Sequence, residues 1–232
     1  LILINSTVIS TWDSEQTAFT HRIILQDHSN SILTDVNISN VKSSTDNWDY
    51  DMKLDSTNVE SIGHIFTNLV GLNESYIRWL GSNPNNFTMR YTLTVQANYT
   101  NGTAISGANV YVTNVNRTQV TGSTSSVGLY QANFTAFDSN SPGDGSVGGG
   151  INTYYTPYTV AASLYPYSAI TTSSLTSPTT LSMSLNNNSK YISTCQQLQD
   201  MSYNLNGKYV LIKNIDCSDT INWNNNGTVN LG

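Results

Sequence analysis

Apolar and polar residues alternate with the period of a β-strand through most of the chain. The cleanest run sets Phe87, Met89, Tyr91, Leu93 and Val95 against Thr88, Arg90, Thr92 and Thr94. That pattern predicts a strand crossing the middle of a sheet, one face on a core and the other in water. Upstream, Phe19, His21, Ile23 and Leu25 share a face, although Ile24 interrupts the polar side. Ile32, Thr34, Val36 and Ile38 share another, after the turn-forming stretch from Asp27 to Ser31. Tyr50, Met52 and Leu54 make a third, with Asp49, Asp51, Lys53 and Asp55 on the opposite, solvated face. Several such strands with no long helix between them predict an antiparallel β-sandwich over residues 1–95.

A second module is expected to start near Gln96 and run to 187. Its strand faces are Val110 with Val112, then Tyr130, Ala132, Phe134 and Ala136, then Tyr158, Val160 and Ala162, and last Leu181, Met183 and Leu185. The Gly-rich stretch between Asp138 and Gly150 reads as a loop. It lacks the Lys and the following helix of a phosphate-binding loop. Residues 188–232 change character. Cys195, Leu198, Met201 and Leu205 fall at helical spacing, with Thr194 and Gln197 placed as a capping box. Lys208 to Cys217 then reads as a strand.

Two resemblances sharpen this outline. The run from Asn101 to Val112, the stretch from Thr121 to Tyr130 with Gly128 at its turn, and Tyr155 to Val160 resemble the carboxypeptidase-regulatory-like, Ig-like β-sandwich modules. Ser125 and Ser126 stand where that family often has Asp. Ile192 through Trp223, closing on Leu231 and Gly232, is similar to the entry segment of right-handed parallel β-helix surface proteins of archaeal type. Together they imply an all-β chain of tandem Ig-like antiparallel sandwiches followed by a short helix–strand segment. The second also implies that a β-helix cap stands at 188–232. A fold of this kind says little about molecular role.

Composition points outward from the cell. Only 10 % of residues are charged, the formal charge is −6, and polarity comes from Asn, Ser and Thr. Nine basic residues without a cluster exclude a nucleic-acid stripe. No run approaches a membrane span, and Leu1 to Ile4 is far too short for one. Cys195 and Cys217, the only cysteines, fit one disulfide closing a short loop. A zinc site would need further ligands, and His21, His28 and His64 lie far away in sequence. Ten Asn-x-Ser/Thr triplets start at Asn5, Asn37, Asn73, Asn86, Asn98, Asn101, Asn116, Asn133, Asn187 and Asn226. That number barely exceeds chance for so Asn-, Ser- and Thr-rich a chain, yet each is an acceptor for a glycan in a secreted protein.

Candidate chemistry is thin. Asp46, Asp49, Asp51 and Asp55 could gather around calcium, as could Asp216 with Asp219, but neither spacing matches a calcium loop. Trp12, Trp48, Trp79 and Trp223 could stack on sugars, although Trp79 sits in an apolar run. No metalloprotease or nucleophile-elbow motif is present. The expectation is therefore a non-enzymatic extracellular structural protein without cofactors, whose partners are copies of itself and covalent N-glycans. The alternative is an adhesin stalk or a carbohydrate-binding module. The apolar start, with Leu1, Leu3 and Val8, is expected either to pair in its own sheet or to complete a neighbour's as an assembly strand.

Overall fold

A computed structural model describes residues 2–4, 7–9, 21–26, 30–39, 50–72, 77–114, 120–142, 150–187, 190–203, 207–218 and 220. The described residues are mostly in β-strands, with one short α-helix near the C-terminal end. The first region holds β1 (Ile2–Ile4), β2 (Thr7–Ile9), β3 (His21–Gln26), β4 (Ile32–Thr34), β5 (Asn37–Ser39), β6 (Tyr50–Asp55), β7 (Ser61–Thr67) and β8 (Ile77–Leu80), and leads into the long β9 (Asn85–Tyr99). Among the described residues its strands pair only in parallel, which corrects the expected antiparallel sandwich. One stack runs β1–β4–β7–β9, a second joins β2 to β5, and a third runs β3–β6–β8. Consecutive strands step from one stack to the next and then return one level on. This is the path of a parallel β-solenoid.

Alternation along each strand turns into ladders between its coils. Leu25, Leu54 and Trp79 occupy one register column, Ile23, Met52 and Ile77 a second, and Leu33, Phe66 and Met89 a third. All nine are buried, and each fully buried side chain of this size contributes roughly 1.5–3 kcal/mol. Several corners need a left-handed backbone. Asp35 and Asn68 both take φ of 53° at the exit of the first stack, a conformation that short polar side chains tolerate. Gly71 and Gly81 have φ of 86° and 87°, and a Cβ at Gly71 would strike the Ile38 carbonyl oxygen one coil away.

The second module adds β10 (Asn109–Thr113), β11 (Val120–Ser123), β12 (Leu129–Asn140), β13 (Ile151–Tyr154), β14 (Tyr158–Leu164), β15 (Tyr167–Ser173) and β16 (Thr179–Leu185). These include all four strand faces read from the sequence. One sheet contains β11–β10–β14–β15. The other is built on β9, which carries β12 antiparallel on one side and β16 parallel on the other. Side chains from both sheets, among them Leu93, Val95, Val110, Val112, Phe134, Val160 and Leu185, form one core.

β9 does not stop where the sequence suggests a module boundary at 95. Its first half pairs with β7 of the solenoid and its second half with β16 of the sandwich, while β12 pairs along nearly all of it. Alternation therefore buries Phe87 and Met89 in the solenoid core and Leu93, Val95 and Ala97 in the sandwich core. Tyr91, at the changeover, packs against both. The register of β12 shifts between Thr135 and Phe137. This bulge lets Phe134 enter the sandwich while Ala136 and Phe137 close the solenoid end, where Phe137 meets Phe87 edge-on at 5.9 Å.

The last segment comprises β17 (Lys190–Ile192), α1 (Cys195–Asp200), a 3₁₀ turn (Met201–Tyr203) and β18 (Tyr209–Leu211), with β17 and β18 parallel. Ser193 meets the β10 residue Tyr111 through its hydroxyl at 3.1 Å, and Lys213 lies 5.4 Å above the Tyr111 ring.

Two glycine substitutions separate backbone strain from coil-to-coil crowding. Gly102 also has positive φ, but a Cβ there would meet nothing within 4 Å. Gly102→Ala should cost about 1–2 kcal/mol for the left-handed backbone alone, and Gly71→Ala a further ~1–3 kcal/mol for the collision. Thermal melts of the two variants check this order; equal losses would contradict it.

Candidate functional site

The two cysteines are bonded to each other, with Cα atoms 5.5 Å apart and a sequence separation of 22. The bond ties the start of α1 to the chain just after β18. Thr194 caps the helix by accepting the Gln197 N–H at 3.2 Å. The Gln197 side chain reaches back to the Ser193 N–H at 2.9 Å, one residue earlier than a capping box requires. None of the helix residues is buried, and Leu198 is 39 % exposed. Of the residues at helical spacing, Leu198 is thus left in solvent, and Leu205 lies outside the described residues. The attachment of the helix comes from the disulfide, the β17–β18 pair and the Tyr111 contacts.

The acceptor asparagines are scattered across both modules. Asn37, Asn101, Asn133 and Asn187 are exposed, while Asn86 and Asn98 are half-buried in β9. Asn86 Oδ1 accepts the Gly63 N–H at 2.9 Å, Asn98 Oδ1 accepts from Gln96 at 3.1 Å, and Asn101 Oδ1 accepts the Thr103 N–H at 3.0 Å. Asn133 ends a polar chain along the outer face. Asn68 Nδ2 donates to Asp35 Oδ1 and to Thr92 Oγ1, both at 2.7 Å, and Thr92 Oγ1 donates to Asn133 Oδ1 at 2.8 Å. Asn5, Asn73, Asn116 and Asn226 lie outside the described residues, as does Leu1. Leu3 and Val8 belong to β1 and β2, which pair with β4 and β5 of the same chain.

Asp55 departs from the solvated face on which alternation placed it. Asp55 is buried, joined to Lys53 at 2.8 Å and to the Thr57 N–H at 3.0 Å. Strand β6 ends there, and the turn to Thr57 folds its own donors over the carboxylate. Burial alone would push the Asp55 carboxyl up, but the hydrogen bonds from Lys53 and Thr57 outweigh it and hold the group below its ordinary value. Asp46 and Asp49 lie outside the described residues. Asp216 accepts the Ser218 N–H at 2.9 Å, while Asp219 falls outside. Trp79 is fully buried and stacked 5.9 Å from Phe87, so it offers no face to a ligand. Trp12, Trp48 and Trp223 are not among the described residues.

A buried serine–histidine contact has no signature in the sequence, because its spacing matches no catalytic motif. Ser61 Oγ lies 3.0 Å from His64 Nε2, and His64 Nδ1 accepts the Ser31 N–H at 3.2 Å. Acceptance at Nδ1 leaves the proton of a neutral ring on Nε2, which then donates to Ser61. His64 cannot take a proton from Ser61 in that state. With all three residues fully buried, the arrangement clips one coil to the next instead of activating a nucleophile.

The sandwich also carries a seam between two of its strands. β15 and β16 meet at one end, where Ser168 and Asn186 exchange backbone hydrogen bonds at 2.9 and 3.1 Å. Beyond that bridge they splay apart around a groove of about 350 Å³. Ala169 and Thr171 share the core side of β15, opposite the buried Ala162 and Val160. Leu181 and Met183 share the core side of β16, beside the buried Val95 and Ala97. Yet Thr171 is exposed and Leu181 only half-buried. Among the described residues, then, core-facing positions reach solvent on this side. Neither β15 nor β16 contains a charged residue or proline. Sequence periodicity shows which face of a strand is apolar but not which strands stay unpaired, so the seam had no signal there.

Two outcomes follow. The Cys217→Ser variant should lose about 3 kcal/mol of local constraint, with hydrogen exchange accelerated over residues 190–218 and unchanged at Val110 and Val160; acceleration in the sandwich as well would contradict the separation. The depressed Asp55 carboxyl supplies stability above its unfolded pKa of about 3.9 that is lost as pH falls through the folded value. Asp55→Asn should therefore be less stable than wild type at neutral pH and lose less on acidification, as read by urea unfolding at several pH values. No family model, curated protein or solved structure matches this chain.

Proposed function

We propose that the protein is an extracellular structural protein, a subunit of a microbial, archaeal-type surface filament, appendage or coat. It assembles with copies of itself through β-strand and apolar contacts and carries N-glycans. The observation that carries this reading is β9, one uninterrupted strand that serves the cores of two different β-modules. Tension along such a chain is met by hydrogen-bond ladders on both sides of the shared strand instead of by a flexible linker. The intrachain disulfide and the charge-poor, Asn-, Ser- and Thr-rich composition support an oxidising, external setting. Among the described residues, no helix is long and apolar enough to cross a membrane.

A second reading, an adhesin stalk or carbohydrate-binding module, draws on the groove beside β16. Ser184, Asn186 and the ring of Tyr191 line it, and uncharged hydroxyls, amides and an aromatic suit a neutral sugar. Electron microscopy of the purified chain tests the leading reading. Filaments or sheets are expected; dispersed particles at high concentration would contradict it, and glycan-array binding by such particles would favour the second.

A further inference from the structure

We propose that His64 is an acid-released clasp of the solenoid: its neutral ring closes the joint between β4 and β7, and uptake of a proton opens it. This device does not depend on self-assembly and would stand if the assembly reading fell.

The clasp occupies a break in the ladder. Residues three apart on a regular strand face opposite sides, yet Ser61 and His64 are both fully buried. The register between β7 and β9 shifts between them, and Gly63 takes φ of 73° inside that shift. This bulge turns both side chains inward. The other border of β7 departs from the regular pattern as well. The Ser31 carbonyl accepts the Ile65 N–H at 2.8 Å, and a regular parallel ladder would then send the Ser31 N–H to the Gly63 carbonyl. It goes to His64 Nδ1 at 3.2 Å instead. A ring nitrogen thus takes the place of a backbone acceptor at the joint.

That replacement makes the joint responsive to protons. A backbone N–H can only donate, so Nδ1 holds it only while the ring keeps its lone pair there. Protonation would set two N–H groups against each other and place a charge in a fully buried position. Folding therefore accepts the neutral ring, whereas the unfolded chain takes up the proton near pH ~6.5. Stability is full above that pH and falls as pH drops below it, because only the unfolded state gains the proton. The Asp55 carboxylate responds in a separate window, around and below its unfolded pKa of about 3.9.

The elements around the ring keep their charged groups on other faces or in other pairs. On β7 itself His64 is the only titratable residue, and β4 has none. β9 brings Arg90, on the outer face with Thr88, and Tyr91 and Tyr99 further along. Across the core, β6 brings Lys53, paired with Asp55 at 2.8 Å, and β8 brings Arg78, in register with Lys53. β6 also carries Tyr50 and Asp51, and β3 carries Arg22 and His21, the latter in register with Tyr50. Glu60, next to Ser61, is exposed, while Asp35 and Asp138 are bonded to Asn68 and Thr88. Beside the ring itself stand Phe66, nearly parallel at 6.3 Å, and the register partner Phe87.

The test uses the full chain carrying His21→Gln and His28→Gln, which keeps His64 as its single histidine. In urea unfolding its folding equilibrium constant should fall roughly 25-fold further between pH 7 and pH 5 than that of the same chain with His64→Asn added. Asparagine retains an acceptor for the Ser31 N–H but does not titrate. The ring reports independently: nitrogen NMR shifts should show the neutral form, protonated at Nε2, persisting in the folded chain at pH 5. Hydrogen-exchange protection of the Ser31 and Ile65 amides should fall over the same pH range. A folded-state ring that titrates near pH 6.5 or above would overturn the proposal, as would an equal pH dependence in the two chains. If the His64→Asn chain does not fold, the titration of the ring and the protection at Ser31 decide in its place.

Discussion

Asn85–Tyr99 must satisfy two cores at once, and most of the structure follows from that requirement. A strand alternates strictly, so the same face that buries Phe87 and Met89 in the solenoid buries Leu93, Val95 and Ala97 in the sandwich. The two cores therefore share one side of one strand, and Tyr91 joins them. β12 lies along most of its partner and can serve both cores only by breaking register once. The bulge at Ala136 is that break. It sits where the lateral partner of β9 changes from β7 to β16. Polar groups follow the same logic on the outer face, where Asp35, Asn68, Thr92 and Asn133 connect a solenoid corner to a sandwich strand.

What lies at the borders of this arrangement is where function is sought. Interior ladders are complete, as in Leu25–Leu54–Trp79, and leave little for chemistry. The Ser61–His64 contact illustrates the point: a pair that resembles a catalytic dyad is fixed by a backbone donor in the unproductive tautomer. The borders β13, β15 and β16 instead keep backbone edges and apolar side chains at the surface without charge to repel a neighbour. That combination suits association more than turnover.

The legible part of the sequence was the alternation itself. Phe87 to Val95, Tyr130 to Phe134 and Leu181 to Leu185 each read as strands with the correct inward face, since period-two burial is the same in any sheet, whereas the bulge sends Ala136 to the other core. Pairing direction was not legible. Ile32, Leu33 and Thr34 align with Ile2, Leu3 and Ile4 on one side and with Ile65, Phe66 and Thr67 on the other, but the coils differ in length and composition, so no repeat marks the solenoid. Three-residue strands such as β4 and β5 also carry too little pattern to distinguish a coil from a hairpin. Asp55 failed for a related reason. Alternation placed it on the polar face of β6, whereas the strand ends there and the following turn buries it with Lys53 and Thr57. The disulfide pairing was accessible from the count alone, while the exposed Leu198 of α1 shows that helical spacing fixes a face without supplying something to cover it.

Native-state hydrogen exchange along β9 tests the shared-strand account most directly. If the strand couples the two cores, the amides of Met89 and Arg90 in the solenoid half and of Leu93 and Val95 in the sandwich half should exchange through one opening, with the same free energy and the same dependence on denaturant. Exchange in the solenoid half through a lower-energy opening that leaves Leu93 and Val95 protected would show two modules unfolding independently, and would contradict the account.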